Sequence, residues 1–318
     1  MVKTRREGGC MYPYQLFWGL DLYSILIVVG VIACMALIRV LGDKKKYEAK
    51  YQNFLLLNTL VAIFGGYGLA VVTQAFYNIA ALGKFELSNN TGSTFYGGLV
   101  GGIALFILVY FGAGHFIFYD GYHKKHFREV SDLAGGCIAV AHGFGRLGCL
   151  MAGCCHGAVT DKWYGIYMVS MGKRVVPVQL FEALFLFALG AVLIWMFVKN
   201  KRYVLPAYLF SYGIWRFFIE YLRDDDRGQT IVKFLSPSQL TSLLLMTAAI
   251  IILSIEFYVD DKKKPTEKLS DGSTESDGEE EPKEEEYEEA DEDIAEESVD
   301  DEDVKEESTE DISEVSEE

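Results

Sequence analysis

Ala141–Gly157 reads AHGFGRLGCLMAGCCHG, and its reading decides the fold. It sets Arg146, His142, His156, Cys149, Cys154 and Cys155 among glycines, inside a stretch whose hydropathy is that of a bilayer-spanning segment. A charged side chain facing lipid at the bilayer centre costs about 2.5–3.5 kcal/mol or more, so such groups turn inward and serve a function. As a helix, the stretch places His142, Arg146, Cys149 and Gly153 at i, i+4, i+7 and i+11, on one polar face. Gly145, Gly148 and Ala152 form a neighbouring face, small enough for another helix to come close.

Outward from this stretch, apolar runs long enough to cross about 30 Å of hydrocarbon recur between short polar connections. They are Leu22–Leu41, Phe54–Ala81, Phe95–Ala113, Leu133–Met151, Leu180–Val198, Leu205–Leu222 and Leu240–Val259. The fold class is therefore all-α, a polytopic membrane protein of about seven transmembrane helices. The first run lacks a cleavage site and is a retained helix.

Charge is segregated along the chain. From Asp260 onward 30 acidic and 6 basic residues give −24, whereas the residues before it carry 15 acidic and 23 basic residues, or +8. The pI of about 4.8 thus belongs to the tail and says little about the apolar body. Residues 260–318 have too few apolar side chains to offset the entropy of ordering, so they read as a disordered acidic tail after a membrane domain at 1–259. The alternative for the tail is an acidic arm for a basic partner. The bilayer is the partner surface of the body, and no nucleic-acid partner is expected.

Lysines and arginines set the orientation. Basic residues concentrate at Arg39–Lys50, Lys124–Arg128, Lys199–Arg202 and Lys262–Lys264. The expected topology has the N-terminus outside and the tail in the cytosol. His115, His123 and His126, near the inner end of the third run, read as surface histidines.

Two further patterns carry chemistry. In FYGGLVGG, Gly97 with Gly101 and Gly98 with Gly102 are small-xxx-small pairs that call for a partner helix and bring Tyr96 towards the bundle interior. In WRFFIEYLRDDDRG, Arg216, Glu220 and Arg223 fall at i, i+4 and i+7. Arg216 and Glu220 alone read as a structural ion pair. Joined by Arg146, they read as arginines in excess of carboxylates, and guanidinium forks match phosphate oxygens. In a membrane the abundant phosphate is a phospholipid headgroup.

Five blocks, in order, resemble the prolipoprotein diacylglyceryl transferase family. GRLGCLMAGCCHG resembles GRxGNFxNGExxG, PVQLFEA at Pro177–Ala183 resembles HPSQLYEA, and RFFIEYLRDDD resembles RFxxEFxRxPD. YGGLVGG resembles HGGLxG, and LSPSQLTSL at Leu235–Leu243 resembles SMGQxLSL. The resemblance implies a bacterial inner-membrane enzyme that takes diacylglyceryl from phosphatidylglycerol and places it on the lipobox cysteine thiol of a preprolipoprotein, without a cofactor. It implies the essential arginine roles for Arg146 and Arg216, and the second acid and base pair for Glu220 and Arg223. It also gives a functional tyrosine at Tyr23, which on position alone reads as an aromatic-belt anchor. Gly97, Gly98, Gly145, Gly148, Cys149 and Cys154 are the remaining substrate-binding candidates.

Departures from the family pattern are specific. Tyr96 stands where the family has histidine, Cys149 and Cys154 where it has asparagine and glutamate, and Tyr67 where it has an arginine. A phenol is a poor base at neutral pH, so His142, one turn before Arg146, is the expected replacement. Cys149, Cys154, Cys155 and His156 match no common zinc knuckle, so no metal is expected. Packing as weak hydrophobes, a disulfide and a thiol carrying an acyl or diacylglyceryl group remain the readings of the cysteines. Two readings compete with the transferase: a lipid-binding protein that kept the headgroup site and lost the chemistry, and a membrane scaffold whose acidic tail is the active part.

Overall fold

A computed structural model describes residues 20–82, 91, 94–169, 171–223 and 235–271. The basic residues at the N-terminus, Lys84, Asp224–Asp226, Arg227, Lys233 and the tail from residue 272 lie outside the described residues.

The element order is α1 (Leu22–Lys44), α2 (Ala49–Leu82), α3 (Phe95–Ile117), α4 (Tyr122–Ala152), β1 (Ile166–Met168), β2 (Lys173–Val175), α5 (Val178–Val198), α6 (Val204–Ile219) and α7 (Pro237–Asp271). Six of these helices are long and apolar enough to cross a membrane. The exception is α6, whose 16 residues rise only about 24 Å before the chain tightens into a 3-10 turn at Glu220–Leu222. The all-α membrane architecture stands, with α6 shorter than its apolar run.

Several helices outlast the apolar runs. α1 continues through Arg39 to Lys44, and α4 starts at Tyr122, so Lys124–Arg128 is helical rather than a connection. Lysine and arginine are good helix formers, and nothing in leaving the hydrocarbon layer ends a helix. α7 likewise runs past Val259 to Asp271, so residues 260–271, grouped with the tail by composition, are helical. The first unit of the chain ends at Glu267, and of the second, residues 268–318, only 268–271 are described.

Small residues set the helix spacing. A Cβ at Gly66 would lie 3.0 Å from both the Gly98 carbonyl oxygen and Gly102 Cα, so α2 and α3 meet backbone to backbone. Gly97 and Gly101 face Thr73 and Leu69, which makes α2 the partner helix that the glycine pattern called for. On the other side, Gly30 of α1 packs on Phe144 and Ala141 of α4, and Gly190 of α5 on Val140 and Ala139.

The buried core joins Leu41, Tyr51, Tyr110, Leu133, Leu186, Leu193 and Tyr208. His123 is fully buried, contrary to its surface reading, because Gly114 leaves room for its ring among Tyr110, Phe111 and Phe118. Tyr110 donates to the His123 carbonyl at 2.6 Å, leaving its oxygen to accept from Tyr51 at 2.6 Å.

At one end of the bundle, Asp132 of α4 accepts from Val204 N at 2.7 Å and Leu205 N at 3.2 Å, placing a carboxylate on the positive N-terminus of α6. At the same end Asp260 of α7 accepts from Arg128 at 2.5 and 3.0 Å and from Tyr203 at 3.0 Å, and lies 2.8 Å from Arg202. At the opposite end the β1–β2 hairpin pairs Ile166 with Val175 and Met168 with Lys173 around a turn whose Gly172 has φ 61°. Met168 and Val175 are fully buried against Leu150, so the hairpin seats on the last turns of α4.

Candidate active site

The polar groups of the hairpin end come from different helices. Arg146 and Cys149 lie in the last turns of α4, Gln179 and Glu182 in the first turns of α5, Tyr212 and Arg216 late in α6, and Ser238 and Thr241 early in α7. Alternating chain direction brings these ends together, and the hairpin and the 3-10 turn hold them. Ala158 N donates to the Leu222 carbonyl at 3.0 Å, and Gly157 bridges Arg223.

Arg146 Nε lies 3.1 Å from Glu182 Oε2, and its Nη2 donates to the Tyr212 hydroxyl at 3.3 Å. Tyr212 donates in turn to Glu182 Oε1 at 2.8 Å, and Glu182 is wholly buried. With its one proton committed, the Tyr212 oxygen accepts from His142 Nε2 at 3.5 Å, which leaves His142 Nδ1 to accept from Tyr208 at 3.2 Å. His142 thus joins Arg146 as the spacing predicted, and both its nitrogens are engaged by tyrosine hydroxyls.

The second constellation is continuous with the first through α6. Arg216 Nη1 lies 2.9 Å from Glu220 Oε2, and its Nη2 donates to Ser238 Oγ at 2.5 Å. Glu220 Oε1 accepts from Ser236 Oγ at 2.9 Å, while Arg223 Nε stands 3.8 Å from Glu220 Oε2. The expected i, i+4 pair is therefore present. Among the described residues, three guanidiniums face two carboxylates here, and the arrangement is fitted to gain an anion such as a phosphate. Glu182 went unselected from the sequence; it is the only acidic residue in PVQLFEA, and that is the signal that could have found it.

Cys149, Cys154 and Cys155 bring their sulfurs within 4.8 Å of one another. Gly153, expected on the polar face, instead ends α4 in the left-handed region at φ 66°, and Cys155 follows at φ 62°. This reversal folds Cys154 and Cys155 back over Cys149, with Cys154 N donating to the Cys149 carbonyl at 3.2 Å. Gln179 Nε2 donates to the Cys154 carbonyl at 2.5 Å and fixes the turn. Hydrogen bonds from Cys149 and Cys154, joined by the Arg223 guanidinium and opposed by burial, hold the Cys155 thiol below its ordinary range. His156 pairs Nδ1 with the Gly157 carbonyl at 3.1 Å and stands apart from the three thiols.

Other expected site residues have packing roles in the structure. Tyr23 lays its ring 3.1 Å from the Cβ position of Gly148, so the small face of α4 receives α1 there, and Gly145 faces Ile27. Gly97 and Gly98 meet Thr73 and Ala70 of α2. Tyr96 is about half exposed, and because Thr241 already donates to the Pro237 carbonyl, Tyr96 donates to Thr241 Oγ1 at 2.8 Å. That contact turns Tyr96 towards α7 rather than into the bundle interior.

A family model described as prolipoprotein diacylglyceryl transferase matches residues 14–255. The chain is 34% identical over 251 residues to phosphatidylglycerol–prolipoprotein diacylglyceryl transferase 2 of Clostridium perfringens (strain 13 / Type A), covering 75% of this chain and 92% of that one. It is 30% identical over 258 residues to the phosphatidylglycerol–prolipoprotein diacylglyceryl transferase of Clostridium tetani (strain Massachusetts / E88), covering 77% and 97%.

Proposed function

This chain belongs to the prolipoprotein diacylglyceryl transferase family, and from that premise we propose that it moves diacylglyceryl from phosphatidylglycerol to a lipobox cysteine thiol of a preprolipoprotein. It is a multi-pass membrane protein of a transferase family. In the proposed reaction a carbon–sulfur bond forms at the glycerol carbon as the carbon–oxygen bond to phosphate breaks. The electron pair goes to the phosphate oxygen, and glycerol phosphate leaves.

The observation that carries this reading is the buried cluster of Arg146, Arg216 and Arg223 against only Glu182 and Glu220 among the described residues. Fixed cations at the point where negative charge develops stabilise the transition state without reorganising at the moment of reaction. Arg146 and Arg216 take the leaving phosphate, while Glu220 and Arg223 hold the headgroup end of the lipid. His142, with both nitrogens on tyrosines, acts here by holding Tyr212 and hence Arg146. Tyr96, its proton on Thr241, stands beside the α7 N-terminus and offers its oxygen only as an acceptor towards substrate. The site end faces outward in a bacterial inner membrane, with the N-terminus outside and the acidic tail in the cytosol.

The test is a reconstituted assay with labelled phosphatidylglycerol and a lipobox peptide. Thioether product from wild type that disappears in Arg146→Ala and Arg216→Ala supports the reading. Arginine-dependent lipid binding with no product from wild type overturns it and leaves a headgroup-binding protein.

A further inference from the structure

The family role leaves unexplained why a site that lacks the family's helix-three histidine and two polar signature residues should place three thiols beside its arginines. We propose that Cys149, Cys154 and Cys155 form a three-thiolate site for a thiophilic divalent ion of the zinc class, with its fourth position open to the acceptor thiol.

Geometry comes first. Zinc holds sulfur at about 2.3 Å, which in a tetrahedron sets the sulfurs about 3.8 Å apart. The three sulfurs here already lie within 4.8 Å of one another, so closing on an ion needs only small side-chain rotations. They are assembled by a reversal held in place from outside. The left-handed Gly153 and Cys155 and the Gln179 bond to the Cys154 carbonyl fix the backbone before any ion arrives. The C-x4-C-C-H spacing matches no common zinc knuckle; in space the three thiols converge while His156 turns to the Gly157 carbonyl.

Charge and access agree with a working site rather than a closed structural one. Three thiolates and a divalent ion carry one negative charge, and two guanidiniums stand near to offset it: Arg146 lies one turn before Cys149 on α4, and Arg223 bridges Gly157, two residues past Cys155. Cys154 is exposed, so one side of the triangle opens outward. Three protein ligands plus an open position is the arrangement of catalytic zinc.

The consequence for the reaction rests on the transferase reading. A thiol entering the fourth position loses its proton to water as it binds the ion. The metal-held sulfur then attacks the glycerol carbon, forming the carbon–sulfur bond as the carbon–oxygen bond breaks and its electrons go to the phosphate. The resulting thioether is a weaker ligand and leaves. This supplies the acceptor activation that neither Tyr96 nor the tyrosine-bound His142 provides.

The experiment uses the full-length, reduced, metal-free protein in detergent, titrated with cobalt(II) and then zinc. One equivalent of cobalt with thiolate-to-metal charge-transfer absorption, displaced by zinc and lost in Cys149→Ser, Cys154→Ser and Cys155→Ser, is expected. Unchanged thermal unfolding of the apo variants shows that they fold. A lipobox peptide should shift the visible cobalt bands, whereas the same peptide with serine for cysteine should not. Absence of the thiolate band in reduced wild type, or a native disulfide among these cysteines by intact mass, overturns the site. Transfer that persists after zinc is stripped overturns the acceptor role. Cobalt binding without any transfer to the peptide leaves the site standing and sinks the transferase reading, and transfer by a protein that binds no cobalt does the reverse.

Discussion

Glu182 on α5 meets Arg146 on α4 at 3.1 Å with its carboxylate wholly out of water, so the guanidinium of Arg146 is aimed by a buried anion. Removing one partner of a buried ion pair strands the other charge and costs about 3–5 kcal/mol. Glu182→Gln should therefore lower the unfolding temperature in detergent by several degrees and abolish product in the reconstituted assay. Equal stability and turnover would show that Arg146 needs no such partner.

Tyr212 gives its proton to Glu182 and takes one from Arg146, so Tyr212→Phe leaves two buried charged groups short of a partner. A hydrogen bond to a charged group is worth about 1.5–3 kcal/mol. Turnover should fall roughly 10- to 100-fold, while Tyr208→Phe, one turn away and with its hydroxyl on the neutral ring of His142, should cost less. Steady-state kinetics on both variants checks the order.

His142→Ala should reduce turnover through the slackened Tyr212 and leave the pH profile of the reaction where it is in wild type. A profile that changes shape in the variant would instead make His142 the proton acceptor.

Gly66 and Gly68 lie two residues apart on α2, yet a Cβ at the first meets the α3 backbone and at the second meets nothing within 4 Å. Overpacking costs about 1–3 kcal/mol. Gly66→Ala should lower thermal stability clearly and Gly68→Ala should not, by the same unfolding measurement.

Asp260 separates two truncations. Ending the chain after Val259 removes the acceptor shared by Arg128, Arg202 and Tyr203 and should lower the unfolding temperature. Ending it after Asp271 should preserve both stability and turnover, and loss of function there would revive the tail as the active part.

Much of this was legible in the chain because periodicity survives folding. Arg146 with His142, and Arg216 with Glu220, each fall on one helical face, and the glycine pairs of α3 point to a close partner. The spacing within one helix says nothing of what another helix brings, so Glu182, Tyr212 and Ser238 were invisible as partners. The thiol triangle was hidden for a different reason: it depends on two left-handed residues, one of them a cysteine, that reverse the chain just past α4. His123 misled because the cavity that buries it is made by Gly114 on α3. The β1–β2 hairpin was missed because its strands are only three residues each, too short for alternation to stand out.

Two points on α7 are tied, Ser238 near its start to Arg216 and Asp260, eleven residues before its end, to Arg128. Twenty-two residues of helix put these ties roughly 33 Å apart, close to the thickness of a bilayer's hydrocarbon layer. A helix tied at two points so far apart cannot slide along its neighbours, so α7 acts as a spacer between α4 and α6. It holds the Arg216 end of α6 and the Arg128 end of α4 at a fixed separation, so the two ends of the bundle cannot shift in level independently.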